Sequence, residues 1–100
     1  MNCSIASREL ELYASNTEAF IAPVIKTLSK HYRNGEFSYD RALAYIDRYC
    51  LVSAAKQYDV EHGTMRTKWN VLFPKNVRME AAESILDSWL VEFRLGNFWD

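Results

Sequence analysis

The feature that most constrains the fold is a stripe of apolar residues at helical spacing near the carboxyl end. Between Pro74 and Gly96, apolar side chains recur every three or four residues, as one face of a helix requires. Pro74 suits a first helical turn because the amide donor that it lacks is not needed there, and Gly96 tolerates the left-handed conformation that ends a helix. The stripe therefore predicts a helix over residues 75–95. Its members are Val77, Ala81, Ala82, Ile85, Leu86, Trp89, Leu90 and Phe93.

A second long helix is predicted over residues 39–61. Ser38 is a favourable N-cap, and Asp40 lies in the first turn, where a negative charge is stabilised. Ala54 and Ala55 would let another helix approach closely. We expect this helix to lie antiparallel to the helix over residues 75–95. The buried side is predicted to contain Leu43, Ile46, Tyr49, Cys50 and Ser53.

The first third of the chain also contains helix signals and little that indicates a strand. Ser7 can cap a short helix, and Ser15 stands three residues before Glu18, the spacing of a capping box. Pro23 lies inside the apolar stripe that follows, so we expect a kink or a restart near Ala22. Asn34 and Gly35 are predicted to end this second helix. The fold class is therefore all-α: a compact single-domain bundle of four to six helices over residues 1–100, including the two long ones.

Residues 54–69 fit two incompatible structures. In the first, Ala54-Ala55, Val60 and the apolar positions that follow form a helix-turn-helix, as in small DNA-binding regulators, which this segment resembles. Such a segment has its turn at Asp59, where glycine is usual. A second helix would then present the groove-reading and phosphate-contacting side chains. These candidate nucleic-acid-binding residues are Arg66, Thr67, Lys68 and Asn70.

The second interpretation ends the long helix at His62-Gly63. Thr64 then caps a short helix over residues 65–72, and Pro74 begins the last one. Each helix begins and ends at a favourable residue, and Asp59 need not form a turn. The overall charge also favours this interpretation, because DNA-binding domains are usually markedly basic. This chain has a net charge of −1.

Composition limits the classes of function. Apolar residues make up 49% of the 100 residues and charged residues 25%, as in an ordinary soluble domain. Residues 54–78 carry an excess of three positive charges and residues 79–100 an excess of four negative charges. There is no apolar run long enough to cross a membrane, and two cysteines are too few for a disulfide framework. We expect a cytoplasmic protein.

Motifs for catalysis or metal binding are missing from the sequence. His31 and His62 have no partner at metal-ligand spacing, and no phosphate loop or nucleophile motif occurs. Glu80, Glu83 and Asp87 lie on one side of the last helix, where carboxylates are usually solvated. The sequence therefore predicts a non-enzymatic protein without a metal or other cofactor.

The carboxyl end combines aromatic and acidic side chains. Aromatic residues dominate the energetics of protein interfaces, and neighbouring carboxylates would suit a partner with a basic surface. A homodimer formed through the aromatic tail is a third hypothesis, and packing of Phe98 and Trp99 over the core is the purely structural alternative. The candidate protein-binding residues are Glu83, Asp87, Phe93, Phe98 and Trp99.

The last third of the chain resembles small accessory proteins of phages and plasmids. The resemblance lies in the segment from Phe73 to Arg78, in Glu80-Ala81-Ala82, and in Leu95-Gly96-Asn97. Some proteins of this class inhibit host defence complexes, as anti-CRISPR proteins do. The resemblance implies an interaction module that binds a host protein complex and covers one of its surfaces. The alternative is a helix-turn-helix transcriptional regulator that binds DNA.

Overall fold

The computed structural model describes residues 4–62 and 68–97, which are helical and contain no strand. The all-α prediction is confirmed. Among these residues α5 is a single turn, whereas α6 is the longest regular helix. The elements are α1 (Ser4–Ser15), α2 (Glu18–Arg33), α3 (Tyr39–Ile46), a π-helical segment (Asp47–Leu51), α4 (Val52–His62), α5 (Trp69–Leu72) and α6 (Lys75–Arg94).

Two of the three predicted glycine stops are confirmed, and they have the same geometry. The third, Gly63, and the predicted cap Thr64 lie outside the described residues. Gly35 follows α2 with φ +74°, and Gly96 follows α6 with φ +82°. After α2, the amide of Glu36 donates to the carbonyl of His31 at 2.9 Å, and after α6 the amide of Asn97 donates to Glu92 at 2.9 Å. These six-to-one bonds are those of a Schellman motif, which satisfies carbonyls that the helix leaves unpaired.

Helix starts agree with the sequence less uniformly. Ser38 precedes α3 and Pro74 precedes α6, both with extended backbone, as predicted. The expected cap at Ser15 is wrong, because α1 continues through Ser15 and extended Thr17 precedes α2. α1 also begins before Ser7. No restart occurs at Pro23: α2 is one helix, and the carbonyl that the missing proline amide would have bonded belongs to Ala19, which is exposed to solvent.

The predicted helix over residues 39–61 is confirmed as one continuous helical rod, made of α3, the π-helical segment and α4. Asp59 lies inside α4, which ends at His62. A turn at Asp59, as the helix-turn-helix interpretation requires, is therefore wrong. The π-helical segment was not predicted. In a π-helix each carbonyl accepts a hydrogen bond from the amide five residues later, so one turn contains more residues than in an α-helix. The residues that follow are therefore rotated about the helix axis relative to the positions that an α-helix would give them.

Because of this rotation, the buried side of the rod differs from the predicted one. Leu43, Ile46 and Cys50 are buried as expected, but Tyr49 is 53% exposed and Ser53 is exposed. Leu51, Ala54 and Ala55 complete the buried side instead. The extra residue in the π turn keeps this side facing the bundle along both halves of the rod.

Side-chain contacts give the relative directions of the helices. The rod is antiparallel to α6, since Tyr39 contacts Asp87 while Asp47 contacts Arg78. α1 runs parallel to α6, since Ser7 bonds Glu80 and Glu11 bonds Ser84. The predicted antiparallel pair is present, and α1 is the helix that covers α6 most extensively.

One apolar core joins the helices. It takes side chains from α1, α2, the rod, α6 and the α5–α6 connection. In the described part of the chain, no helix has the length and apolar character needed to cross a bilayer. The largest fully buried apolar side chains are those of Phe93, Leu10, Ile46, Leu51 and Leu86.

Candidate protein-binding surface

The structure separates the candidate protein-binding residues. Glu83 and Asp87 lie one turn apart on α6, and both are exposed. Phe93 is on the opposite side of the same helix and is only 1% exposed. Phe98 and Trp99 lie outside the described residues. Two of the five candidates are thus available on one surface.

Phe93 is corrected from a contact residue to a core residue. Its ring centroid is 5.4 Å from that of Tyr32 on α2, within the main apolar cluster. The exposed apolar residues at this end of α6 are Val91, at 51%, and Leu95, at 70%. They follow Asp87 at intervals of four residues, so they continue the same side of the helix. The sequence pattern gave no reason to choose Val91 over Phe93 as an exposed contact residue.

We define the outer face of α6 by its exposed carboxylates and aliphatic side chains, with the tyrosine that contacts them. It combines residues from α6 with the first residue of α3. The carboxylates are near the middle of α6, and the aliphatic side chains are near its carboxyl end. Its members are Tyr39, Glu83, Asp87, Val91 and Leu95.

The pKa of Tyr39, at the edge of this face, reflects desolvation and the negative charges around it. The hydroxyl of Tyr39 donates to Oδ1 of Asp87 at 2.9 Å. The pKa of Tyr39 is raised by desolvation first, then by that hydrogen bond and by the negative charges of Asp87, Glu83 and Asp40. All three carboxylates therefore act on the same point of the surface. The junction of α3 with α6 has a negative potential.

Neighbouring cations do not neutralise these carboxylates in the part of the chain that the structure describes. In the described ranges, neither Glu83 nor Asp40 makes a salt bridge, and Asp87 bonds to a neutral hydroxyl. Arg94 supplies one exposed cation at the end of α6, where it complements the helix dipole. The face can therefore attract a basic surface and bury aliphatic side chains against it.

The candidate DNA-binding residues do not form one helical surface. The predicted helix over residues 65–72 is wrong at Lys68, whose backbone is extended (φ −73°, ψ 156°), and α5 begins at Trp69. Lys68 and Asn70 are both exposed, but only Asn70 is helical. Arg66 and Thr67 lie outside the described residues. The two described candidates, Lys68 and Asn70, therefore do not share a groove-reading helix face.

Part of the predicted basic segment stabilises the fold. Arg78 donates from Nε to Oδ1 of Asp47 at 2.6 Å, with side-chain exposures of 12% and 13%, and also bonds the carbonyl of Phe73 at 2.9 Å. Its guanidinium carbon lies 5.4 Å from the ring centroid of Trp69, and Nζ of Lys56 lies 5.5 Å from the same ring. Nothing in the sequence indicated this junction. An acidic residue 31 positions before an arginine carries no local signal of pairing.

Groups that could support catalysis are not assembled in the described residues. Burial raises the pKa of the Cys50 thiol to about 12, so it is a poor nucleophile at neutral pH. A half-open groove of about 890 Å³ lies between the α1–α2 corner and Trp89. It is lined mainly by apolar side chains, with Glu18 and Lys26 as its charged residues. Among the described residues, no three potential metal ligands cluster together.

Comparison with known proteins yields no relative: no family model matches the chain, and no curated protein or solved structure matches it. A functional assignment therefore depends on the surfaces of the molecule itself. The outer face of α6 is an exposed surface that combines charge with aliphatic side chains.

Proposed function

We propose that this protein is a non-enzymatic helical interaction module that binds a protein partner through the outer face of α6. The observation that supports the proposal is the exposure of Val91 and Leu95 beside carboxylates that make no salt bridge within residues 4–62 and 68–97. Neither a metal nor another cofactor is needed for this role. The cytoplasm is the compartment that we propose.

The aliphatic side chains would supply affinity. Burying apolar surface is favourable by about 25 cal/mol per Å², so an interface that covers Val91 and Leu95 removes an unfavourable exposure. Isolated exposed aliphatic residues are common on protein surfaces. Here two of them lie one turn apart, and they continue the line of Glu83 and Asp87 along one helix.

The carboxylates would select the partner. A negative face favours encounter with a positive one, and such complementarity affects specificity and association rate more than affinity. Proteins that bind nucleic acid present basic surfaces. We therefore propose as partner a host nucleic-acid-handling or defence complex whose basic surface this protein covers. The resemblance of the last third of the chain to phage and plasmid accessory proteins, including anti-CRISPR inhibitors, supports the same role.

Charge reversal tests the electrostatic part. Tagged wild-type protein and Glu83→Lys/Asp87→Lys would be used to capture partners from bacterial extract, with the recovered proteins quantified by mass spectrometry. The variant is expected to lose a nucleic-acid-handling complex that the wild type recovers. Glu18→Lys/Glu36→Lys makes the same change of charge at exposed positions elsewhere and should retain it. Added salt should weaken capture, because it screens the attraction.

Polar substitution tests the aliphatic part. Val91→Ser/Leu95→Ser should also lose the complex, whereas Val60→Ser/Val71→Ser, at exposed positions on α4 and α5, should retain it. Inhibition of the recovered complex by wild-type protein would support occlusion. If Val91→Ser/Leu95→Ser recovers as much of the complex as Val60→Ser/Val71→Ser does, the proposal is contradicted.

The DNA-binding alternative predicts a different result. A regulator would retain duplex DNA with steep salt dependence, and Arg66→Ala/Lys68→Ala would abolish that binding. Such a result, without capture of a protein complex, would replace the proposed function. Light scattering of the purified protein would identify the homodimer that the aromatic tail suggests.

A further inference from the structure

A second exposed surface lies on the outer side of the α3–α4 rod and differs in charge from the outer face of α6. We name it the tyrosine–arginine face. Tyrosine and basic residues alternate along it, and all but the half-buried Tyr45 are exposed. The face is defined by Arg41, Tyr45, Arg48, Tyr49 and Lys56.

Its central side chains touch one another. The ring centroids of Tyr45 and Tyr49 are 4.6 Å apart with the planes tilted by 43°. The guanidinium carbon of Arg48 lies 5.4 Å from the Tyr49 ring centroid. Arg41 is one turn before Tyr45, and Lys56 follows about two turns after Tyr49. At 1.5 Å per residue the three cations span roughly 22 Å along the rod.

Two carboxylates of the same rod, those of Asp47 and Asp40, act on other parts of the molecule. Asp47 is turned toward α6, where it pairs with Arg78. Asp40 contributes to the negative potential at Tyr39, beside Asp87 and Glu83. In the part of the chain that the structure describes, Arg41 and Arg48 make no salt bridge. The face therefore presents Arg41 and Arg48 beside the tyrosine rings, with a third positive charge at its α5 end from Lys56, whose Nζ lies 5.5 Å from the Trp69 ring centroid.

We propose that the tyrosine–arginine face binds single-stranded nucleic acid. Tyr45 and Tyr49 would stack on bases, while Arg41, Arg48 and Lys56 would contact phosphates. Aromatic side chains combined with a basic track are the usual means of binding a single strand without sequence preference. The bases of a duplex are already stacked on each other, so they offer no free ring face to a tyrosine. Exposed aliphatic side chains like Val91 and Leu95, which suit a protein partner, are not members of this face.

The small net charge of the protein is compatible with this binding. The carboxylates of the outer face of α6 are screened over a Debye length of about 8 Å at physiological salt. Three phosphate contacts on a single strand predict a slope of about −2 for the logarithm of the binding constant against the logarithm of salt concentration. Binding is therefore expected to be weak at physiological salt and measurable at low salt.

Fluorescence anisotropy with a short labelled oligothymidine strand tests the proposal. Wild-type protein should bind the strand at low salt more tightly than a duplex of the same length. Tyr49→Ala should weaken binding roughly 5- to 150-fold, the range measured for loss of one stacking aromatic, and Tyr49→Phe should preserve it. Because Tyr49 is 53% exposed, circular dichroism should show both variants folded.

Charge variants separate the face from the general charge of the protein. Arg41→Gln/Arg48→Gln should reduce the salt slope to below about one, since only one of three phosphate contacts remains. Arg8→Gln/Lys30→Gln removes two exposed cations elsewhere and should leave the slope unchanged. An equal loss in both pairs, no binding of the strand at low salt, or equal affinity for the duplex would overturn the proposal.

The two proposed surfaces can fail independently. Glu83→Lys/Asp87→Lys, which should release the protein partner, is expected to keep or increase affinity for the strand. Arg41→Gln/Arg48→Gln should still capture that partner. If the tyrosine–arginine face instead binds a protein, Tyr49→Ala will lose a captured protein while the strand remains unbound, which overturns the nucleic-acid proposal alone.

Discussion

The two sides of α6 differ in a way that apolar character alone does not indicate. Phe93 is 1% exposed and contacts Tyr32, whereas Val91, two residues earlier, is 51% exposed. Both are apolar residues of the last helical turns. Their positions relative to α1, α2 and the rod decide which one stabilises the fold and which one remains available for a partner.

The charged residues of α6 show the same contrast. Arg78 is nearly buried, pairs with Asp47 and bonds the Phe73 carbonyl. Arg94 is exposed at the other end of the helix and makes no salt bridge among the described residues. A desolvated cation is stable only when its hydrogen bonds are satisfied, whereas an exposed one is solvated by water. Buried charge on this helix is therefore structural, and exposed charge can be used for recognition.

The largest expected effect is the loss of the buried ring of Phe93. Phe93→Ala should lower the free energy of unfolding by about 3–5 kcal/mol, because it removes apolar contacts and leaves a cavity in the core. Val91→Ala, on the outer side, should change it by less than about 0.5 kcal/mol. Urea unfolding followed by circular dichroism gives both values. Equal effects would show that the two sides of α6 are not distinguished as described.

The arginine pair gives a smaller contrast. Arg78→Ala leaves Asp47 partly buried without its partner, so we expect a loss of about 2–3 kcal/mol, below the range for fully buried pairs because both side chains retain some exposure. Arg94→Ala should cost no more than about 1 kcal/mol, the value of a favourable helix-dipole interaction. A double-mutant cycle of Arg78 with Asp47 measures their coupling. Zero coupling would mean that the junction does not stabilise the fold.

The stability of the protein at alkaline pH tests two tyrosine hydroxyl groups that lie away from the outer face of α6. The pKa of Tyr13 is raised to about 12 by desolvation, by the hydrogen bond to Glu61 and by the charge of Glu61. The pKa of Tyr58 is raised to about 12 by its hydrogen bond to Glu9, by desolvation and by the charge of Glu9. The unfolded chain then loses these protons first, so stability is fully present below about pH 10 and falls as pH rises toward 12.

Phenylalanine variants identify the groups responsible. Tyr13→Phe and Tyr58→Phe should each reduce the slope of stability against pH between about pH 10 and 12. Tyr49→Phe is the matched control, because its exposed hydroxyl makes no bond to a carboxylate in the described residues. Urea midpoints measured across this pH range give the slopes. An unchanged slope in the first two variants would refute the assignment.

Local signals predicted the helix boundaries well where one residue decides the backbone. Gly35 and Gly96 end helices because a positive φ is easily adopted without a Cβ atom. Ser38 and Pro74 precede helices with extended backbone, although the Ser38 side chain makes no capping hydrogen bond. Ser15 failed because Thr17, two residues later, takes the extended conformation. The candidate surface was predicted only in part: Glu83 and Asp87 are exposed, but Phe93 is not.

The pattern of apolar residues and helix-ending residues by itself determined an all-α chain with two long helices, because both signals act within a few neighbouring residues. Only the tertiary structure decided that α1 covers α6 in parallel, that a π turn rotates Tyr49 outward, and that Arg78 is bound to Asp47. These features depend on residues far apart in sequence, whose contacts form only when the helices pack. The exposed surfaces that we propose for binding are what that packing leaves uncovered.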